Sequence, residues 1–83
     1  MITPRQLQVL RLYANGLTSI EIAAELAISV RTVEQHLQGV RRDLDAKNSV
    51  HAVALAMQKG IIKLIIVLSV YLGMAAVYHE VMR

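Results

Sequence analysis

The chain has 83 residues, of which 55% are hydrophobic and only 4% aromatic, with three tyrosines and neither Phe nor Trp. A chain of this length forms one small domain with a modest core, which here has to be aliphatic. It carries no cysteine, which excludes disulfides and thiolate zinc sites. Its formal net charge of +3 favours phosphate groups or anionic lipid as partners without requiring either.

The N-terminal residues show two helix starts. The first helix is predicted to begin with Thr3 as its N-cap and Pro4 at the first helical position, and Gln6 completes a capping box. No basic segment followed by an apolar stretch precedes this start, so we expect no signal peptide and a cytosolic N-terminus. Thr18 and Glu21 repeat the capping-box spacing and predict a short second helix after the first.

A third helix is predicted from Val30 to about Leu44, capped by Ser29 after a tight turn. Gly39 lowers the helix propensity here, and either permits close approach to the backbone of a neighbour or of DNA, or is a tolerated weak spot. Positions at helical spacing separate an apolar inner side from a polar outer side. The inner side has Val33, Leu37, Val40 and Leu44, and the outer side Arg31, Glu34, Gln35, Gln38, Arg41 and Arg42.

A fourth helix is predicted from Val50 to Lys59, with Ser49 as its cap and Gly60 after its end. The apolar run that follows has no turn residues and is too long for a strand, so it predicts a fifth helix. We therefore expect an all-α chain with a four-helix domain at residues 1–60 and a long apolar helix at residues 61–83.

Two short helices joined by a few residues are typical of the helix-turn-helix, whose second helix fits the DNA major groove. Arg31 and Thr32 would then reach phosphates, while Glu34, Gln35 and Gln38 would contact base edges. Any three-helix bundle with a solvated polar face shows a similar pattern. The pattern alone therefore leaves both interpretations open.

The sequence from residue 2 to residue 62 resembles the LuxR/GerE-type DNA-binding domain of bacterial transcription regulators. The resemblance is carried by "TPRQLQVLRLYANG", "LTSIEIAAELAISVRTVEQHLQGVRRDL" and "AKNSVHAVALAMQKGII". It implies a four-helix domain whose third helix enters the major groove and whose fourth helix contacts a second copy. The family's contacts with bases and phosphates carry over to Arg31, Thr32, Glu34, Gln35, Gln38 and Arg42, with Lys47 on the DNA backbone.

The sequence departs from the family's pattern at Glu34 and at Ile20, where relatives commonly have a basic residue. A glutamate in the groove repels phosphate but can accept a hydrogen bond from cytosine N4. Glu34 therefore either exchanges affinity for selectivity or faces away from the bases.

The sequence contains no Ser-His-Asp set, no glycine-rich phosphate loop and no paired carboxylates in an evident pocket, so we expect no enzyme. Its three histidines are too scattered to suggest metal ligands, and we expect no metal and no cofactor. Relatives usually attach such a domain to a receiver or ligand-binding module, whereas from this sequence we expect no sensor module.

The uncharged segment from Leu64 to Tyr78 would extend about 22 Å as a helix, short of the roughly 30 Å of a bilayer core. Ser69, Gly73 and Ala76 form a stripe of small residues that lets two helices approach closely. The bulky side could cover the apolar parts of the fourth helix. We predict dimerisation through five residues: Val53, Met57, Ser69, Gly73 and Ala76. A C-terminal membrane anchor is the alternative.

We therefore expect a cytoplasmic, sequence-specific regulator without a sensor domain, which binds double-stranded DNA as a homodimer on a two-fold site. One alternative is an interaction protein that heterodimerises with a larger LuxR/GerE-type regulator and inhibits its DNA binding. Another is a regulator anchored in the inner membrane with its DNA-binding domain in the cytoplasm. RNA polymerase is a further expected partner.

Overall fold

The computed structural model describes residues 1–62. Four helices account for most of this part of the chain, which contains no strand: α1 (Pro4–Ala14), α2 (Ser19–Leu26), α3 (Val30–Leu44) and α4 (Ser49–Gln58). The all-α fold class is confirmed. The fifth helix predicted for residues 61–83 lies outside the described residues from position 63 onward.

Capping boxes begin α1 and α2, as predicted. In α1 the Gln6 N–H donates to Thr3 Oγ1 at 3.1 Å, and the Thr3 N–H donates back to Gln6 Oε1 at 3.0 Å. Thr18 and Glu21 make the same reciprocal pair at the start of α2. Hydrogen bonding from the Thr18 backbone, and then from its side chain, lowers the pKa of Glu21. The ionised carboxylate therefore stabilises the α2 start.

The connection between α2 and α3 has only three residues. Ala27 ends α2 in the left-handed conformation, with φ 54°. The Ile28 N–H then donates to the Ala23 carbonyl at 3.0 Å, which closes the end of α2. Ser29 caps α3, because its Oγ accepts from the Thr32 N–H at 3.0 Å. These local bonds define the angle at which α3 leaves α2.

The start of α4 differs from the prediction by one residue. Asn48 is the N-cap, since its Oδ1 accepts from the His51 N–H at 2.8 Å. Ser49, predicted to be the cap, is the first helical residue, and its Oγ accepts a 2.6 Å bond from Arg41 Nη1 of α3. Arg41, predicted on the outer side of α3, is accordingly half-buried. The helix ends at Gln58, so that Lys59 is its C-cap.

The helices pack around α3, which contacts each of the other three. The core contains no buried polar or charged side chain among the described residues. All the predicted inner positions of α3 are buried within it. Its members are Val9, Leu10, Ile22, Ala23, Val33, Leu37, Val40, Leu44, Ala52, Ala56 and Ile62.

Gly39 is buried where the first turn of α1 lies against α3. A Cβ atom at this position would lie 2.5 Å from Nε2 of Gln6 and 3.4 Å from its Cδ. One of the two interpretations of Gly39 was that it permits a close approach to the backbone of a neighbour or of DNA. The close approach is present, but it involves the side chain of Gln6 in α1. Gln6 has little freedom to move away because its Oε1 is held by the Thr3 N–H.

Gly39→Ala should change stability little in the otherwise unaltered chain. The helix-propensity gain of about 1 kcal/mol is offset, because the new methyl group displaces Gln6 from its capping box. In a Gln6→Ala background the same substitution should stabilise the chain by about 1 kcal/mol. Urea unfolding of the four proteins measures this coupling. Equal effects in the two backgrounds would show that Gln6 does not restrict position 39.

Candidate nucleic-acid interface

The polar face of α3 comprises Arg31, Glu34, Gln35, Gln38 and Arg42, all of them exposed. Arg31, Gln35, Gln38 and Arg42 follow one another at steps of four, three and four residues, so they form a single stripe along the helix. The buried side of α3 lies opposite this stripe. Packing of the apolar side therefore presents the polar face to solvent along the whole helix.

The first turn of α3 places Thr32 beside its N-cap. The Thr32 Oγ1 lies 2.8 Å from the Ser29 Oγ, and the side chain of Thr32 is half-exposed. Arg31 precedes it in the same turn and is exposed. A helix N-terminus carries partial positive charge, so these two residues lie where the backbone itself favours an anion.

Glu34 is linked to α2 across the turn. The Ser19 Oγ, in the first turn of α2, donates a hydrogen bond to Oε1 of Glu34. No other hydrogen bond to the Glu34 side chain occurs within residues 1–62. The role of Ser19 is not predictable from the sequence, because no local pattern relates it to a residue fifteen positions later.

Lys47 lies in the connection between α3 and α4, where its backbone is held by His51. The Lys47 N–H donates to His51 Nδ1 at 3.0 Å, while the side chain of Lys47 is exposed. Since Nδ1 accepts, the neutral imidazole carries its proton on Nε2. Lys47 was predicted as a site residue from the sequence, whereas the role of His51 in holding its backbone was not.

The charges at this surface are mainly basic. Arg31, Arg42 and Lys47 are exposed, Glu34 is the acidic residue on the polar face, and Asp45, the C-cap of α3, is also exposed. The carboxylate of Asp43 lies 3.3 Å from the N-terminal ammonium of Met1. The surface can therefore attract phosphates, while Glu34 places one acceptor-only group among the basic residues.

A second surface is formed by the apolar stripe of α4, which comprises Val50, Val53, Ala54 and Met57. Val50 is 69% exposed, and Ala54 is exposed as well. Val53 and Met57, predicted to contribute to dimerisation, are half-buried against the core. The other predicted dimerisation residues, Ser69, Gly73 and Ala76, lie outside the described residues.

In the part of the chain that the structure describes, no three histidine, aspartate or glutamate side chains lie together in a way that could hold a metal ion. None of the helices within residues 1–62 has both the length and the apolar character needed to span a bilayer.

Residues 1–56 match the sequence profile of the family described as bacterial regulatory proteins, luxR family. This match includes α1, α2, α3 and most of α4. The quorum sensing-dependent transcriptional regulator RpaR of Rhodopseudomonas palustris is 44% identical over 63 residues, which cover 76% of this chain and 26% of that protein. The transcriptional regulatory protein YdfI of Bacillus subtilis is 41% identical over 61 residues, covering 74% of this chain and 29% of that protein.

A solved structure supports the same fold. The crystal structure of the response regulator ChrA from a heme-sensing two-component system superposes with a TM-score of 0.71 at 31% sequence identity. The superposition covers 75% of this chain and 31% of ChrA. The matched part of the chain thus spans between a quarter and a third of the length of each of these relatives.

His51→Ala should raise the hydrogen-exchange rate of the Lys47 amide by roughly three- to tenfold, the effect of losing one net hydrogen bond. His51→Gln should preserve much of the protection, because a glutamine side chain supplies an acceptor as Gln6 does in α1. Amide exchange followed by NMR makes the measurement. Nitrogen shifts of His51 should show the Nε2–H tautomer.

The amide of Gly16, which donates to the Tyr13 carbonyl after α1, serves as the internal control and should exchange equally in all three proteins. An Nδ1–H tautomer, or unchanged Lys47 exchange in His51→Ala, would contradict the role of His51 as an acceptor.

Proposed function

This chain belongs to the luxR family of bacterial regulatory proteins, and we propose that it is a transcription regulator that binds double-stranded DNA with α3 in the major groove. The observation that carries this proposal is the polar face of α3, which is exposed along the helix while the opposite side is buried. An α-helix with its side chains fits the major groove, where each base pair presents a distinct set of donors and acceptors. The mainly basic surface favours approach to the phosphates.

The side chains divide by chemistry into two groups. Glutamine presents both a donor and an acceptor, so Gln35 and Gln38 can contact the edge of adenine, while Glu34 can accept from cytosine N4. Basic and hydroxyl groups contact phosphates without distinguishing sequence. These phosphate contacts are proposed for Arg31, Thr32, Arg42 and Lys47.

The proposed active form is a homodimer on a two-fold DNA site. The apolar stripe of α4 supports it, because Val50 is 69% exposed on a helix whose other side is already in the core. Burial against the same stripe of a second copy would remove this apolar surface from water. Two recognition helices about 34 Å apart would then match successive major grooves on one face of the duplex. Ser69, Gly73 and Ala76 are proposed to extend this interface.

A regulator of this kind acts where the bacterial chromosome lies, so we place the DNA-binding domain in the cytoplasm. RNA polymerase is the proposed partner through which bound dimers change transcription. The names of the relatives support this assignment, since RpaR and YdfI are both called transcriptional regulators.

Arg31→Ala should weaken DNA binding and lower the salt dependence of the affinity, because each subunit of the proposed dimer loses one phosphate contact and its released counterion. For the dimer, the slope of log affinity against log salt should decrease in magnitude by about 1.8. The DNA is a duplex selected by the 83-residue chain from a random-sequence pool, and affinity is measured by fluorescence anisotropy.

Lys59→Ala is the matched control, since Lys59 is an exposed basic residue at the end of α4, outside the proposed contacts. It removes the same charge and should leave the slope nearly unchanged. Equal slopes for the two variants would exclude a phosphate contact by Arg31. Failure of the unaltered chain to select any sequence would overturn the proposed function.

Val50→Glu should convert the dimer to monomer, because it places a charge in the centre of the proposed interface. Ile20→Glu is the matched control: Ile20 is 70% exposed on α2, compared with 69% for Val50, so both substitutions remain in solvent in the monomer. Sedimentation equilibrium should show monomeric Val50→Glu and dimeric Ile20→Glu. A monomeric unaltered chain, or a fully dimeric Val50→Glu, would contradict dimerisation through α4.

A further inference from the structure

The hydrogen bond between Ser19 and Glu34 joins the two helices of the helix-turn-helix at their outer surface. Ser19 is the first residue of α2 and is half-exposed, while Glu34 lies one turn into α3 and is exposed. The Ser19 hydroxyl donates to Oε1 of the carboxylate. Thr18 already caps α2, so Ser19 is not needed for that purpose and its hydroxyl is free for α3.

A glutamate side chain in solvent samples many rotamers, and ordering it on binding costs conformational entropy. The bond from Ser19 restricts the Glu34 carboxylate before any DNA is present. A carboxylate has two oxygen atoms, each able to accept hydrogen bonds. With Oε1 engaged by Ser19, Oε2 remains available on the polar face of α3.

An ionised carboxylate can accept hydrogen bonds but cannot donate them, so its interaction differs among the four bases. In the major groove guanine presents acceptors alone, thymine an acceptor and a methyl group, and adenine a donor beside an acceptor. Cytosine presents the N4 amino donor with no acceptor of its own beside it. A carboxylate fixed near the groove floor therefore favours cytosine and is disfavoured by guanine and thymine.

The negative charge of the DNA phosphates makes the restriction of the Glu34 carboxylate important for binding. The phosphates repel Glu34 on every sequence, and an unrestrained side chain would rotate toward solvent to reduce this repulsion. The Ser19 bond opposes that rotation, so that the repulsion is offset only where a cytosine amino group is within reach.

We propose that Ser19 is a specificity-determining positioning residue, whose hydroxyl holds the Glu34 carboxylate so that Oε2 accepts from the N4 amino group of a cytosine. This inference rests on the proposed function, since it requires α3 to lie in the major groove. It assigns Ser19 a role through Glu34, without requiring that Ser19 itself contact DNA.

The test compares sequence preference among variants of the full chain. Each protein selects from a random-sequence duplex pool, and its affinity is then measured for the selected site and for that site with each cytosine replaced by thymine. The unaltered chain should show one cytosine per half-site whose replacement lowers affinity roughly tenfold. Glu34→Gln should lose that preference. Glu25→Gln, which removes an equal charge from an exposed position of α2, should retain it.

Ser19→Ala should reduce the cytosine-to-thymine discrimination at that position to roughly threefold or less, and Ser19→Thr, which retains the hydroxyl, should restore it. Ser19→Asp provides a second disruption, since its carboxylate repels Glu34 while an acidic residue in the first turn favours helix α2. It should abolish the discrimination as well. Helical content by circular dichroism confirms that each variant is folded.

The readout is the ratio of two affinities for one protein, which a general loss of stability does not change. An unchanged ratio in folded Ser19→Ala overturns the role of Ser19, even if Glu34→Gln loses the preference. A cytosine preference that survives in Glu34→Gln overturns the carboxylate contact. In both cases a selected consensus sequence leaves the proposed function intact, whereas no selection by the unaltered chain overturns both.

Discussion

Burial of the apolar side of α3 is the constraint on which the rest of the structure depends. Val33, Leu37 and Val40 fill the centre of the core, and α1, α2 and α4 each contact α3 directly. A domain this small has little apolar surface to spare, so rotating α3 about its axis would expose these side chains. The core therefore determines which side chains face outward. The polar face of α3 is therefore presented by the same packing that forms the core.

The helix α2 has only eight residues and would not persist alone in water. Its buried Ile22 ties it to the core, and the turn that begins at Ala27 limits its angle to α3. The bond from Ser19 to Glu34 adds a third restraint at the outer surface. With these restraints, α2 supports the N-terminal half of α3, whereas Arg41 and Ser49 join the C-terminal half to α4.

Local sequence was sufficient to predict most of the helix boundaries. The capping boxes and the Ser29 cap depend on residues three apart, and such spacings are visible in the chain. The start of α4 was wrong by one position because Asn48 and Ser49 are both good caps, and the bond from Arg41 of α3 decides between them. The left-handed conformation of Ala27 was not predictable either, since alanine has no intrinsic preference for it.

The residues of the candidate site were predictable from the sequence, but the contacts that restrain them were not. The polar face of α3 follows from helical periodicity, which separates exposed from buried positions without any tertiary information. Helical periodicity does not predict the contacts between α3 and the neighbouring helices. Ser19 meets Glu34, and Gln6 meets Gly39, only after three helices have packed. Neither pair is visible in the sequence, because Ser19 and Gln6 each lie in the first turn of a helix, where such residues are common without any contact to another helix.

Near the starts of α1, α2 and α4, one side chain accepts a hydrogen bond from a backbone N–H, and the three acceptors differ in chemistry. Gln6 accepts as a neutral amide, Glu21 as a carboxylate and His51 as a neutral imidazole. The bond to His51 is not a capping box, because its donor is the N–H of Lys47, one residue before the Asn48 cap. The chain thus anchors the backbone of the connection that would carry a phosphate contact. A side chain on an anchored backbone loses less entropy when it binds than one on a free loop.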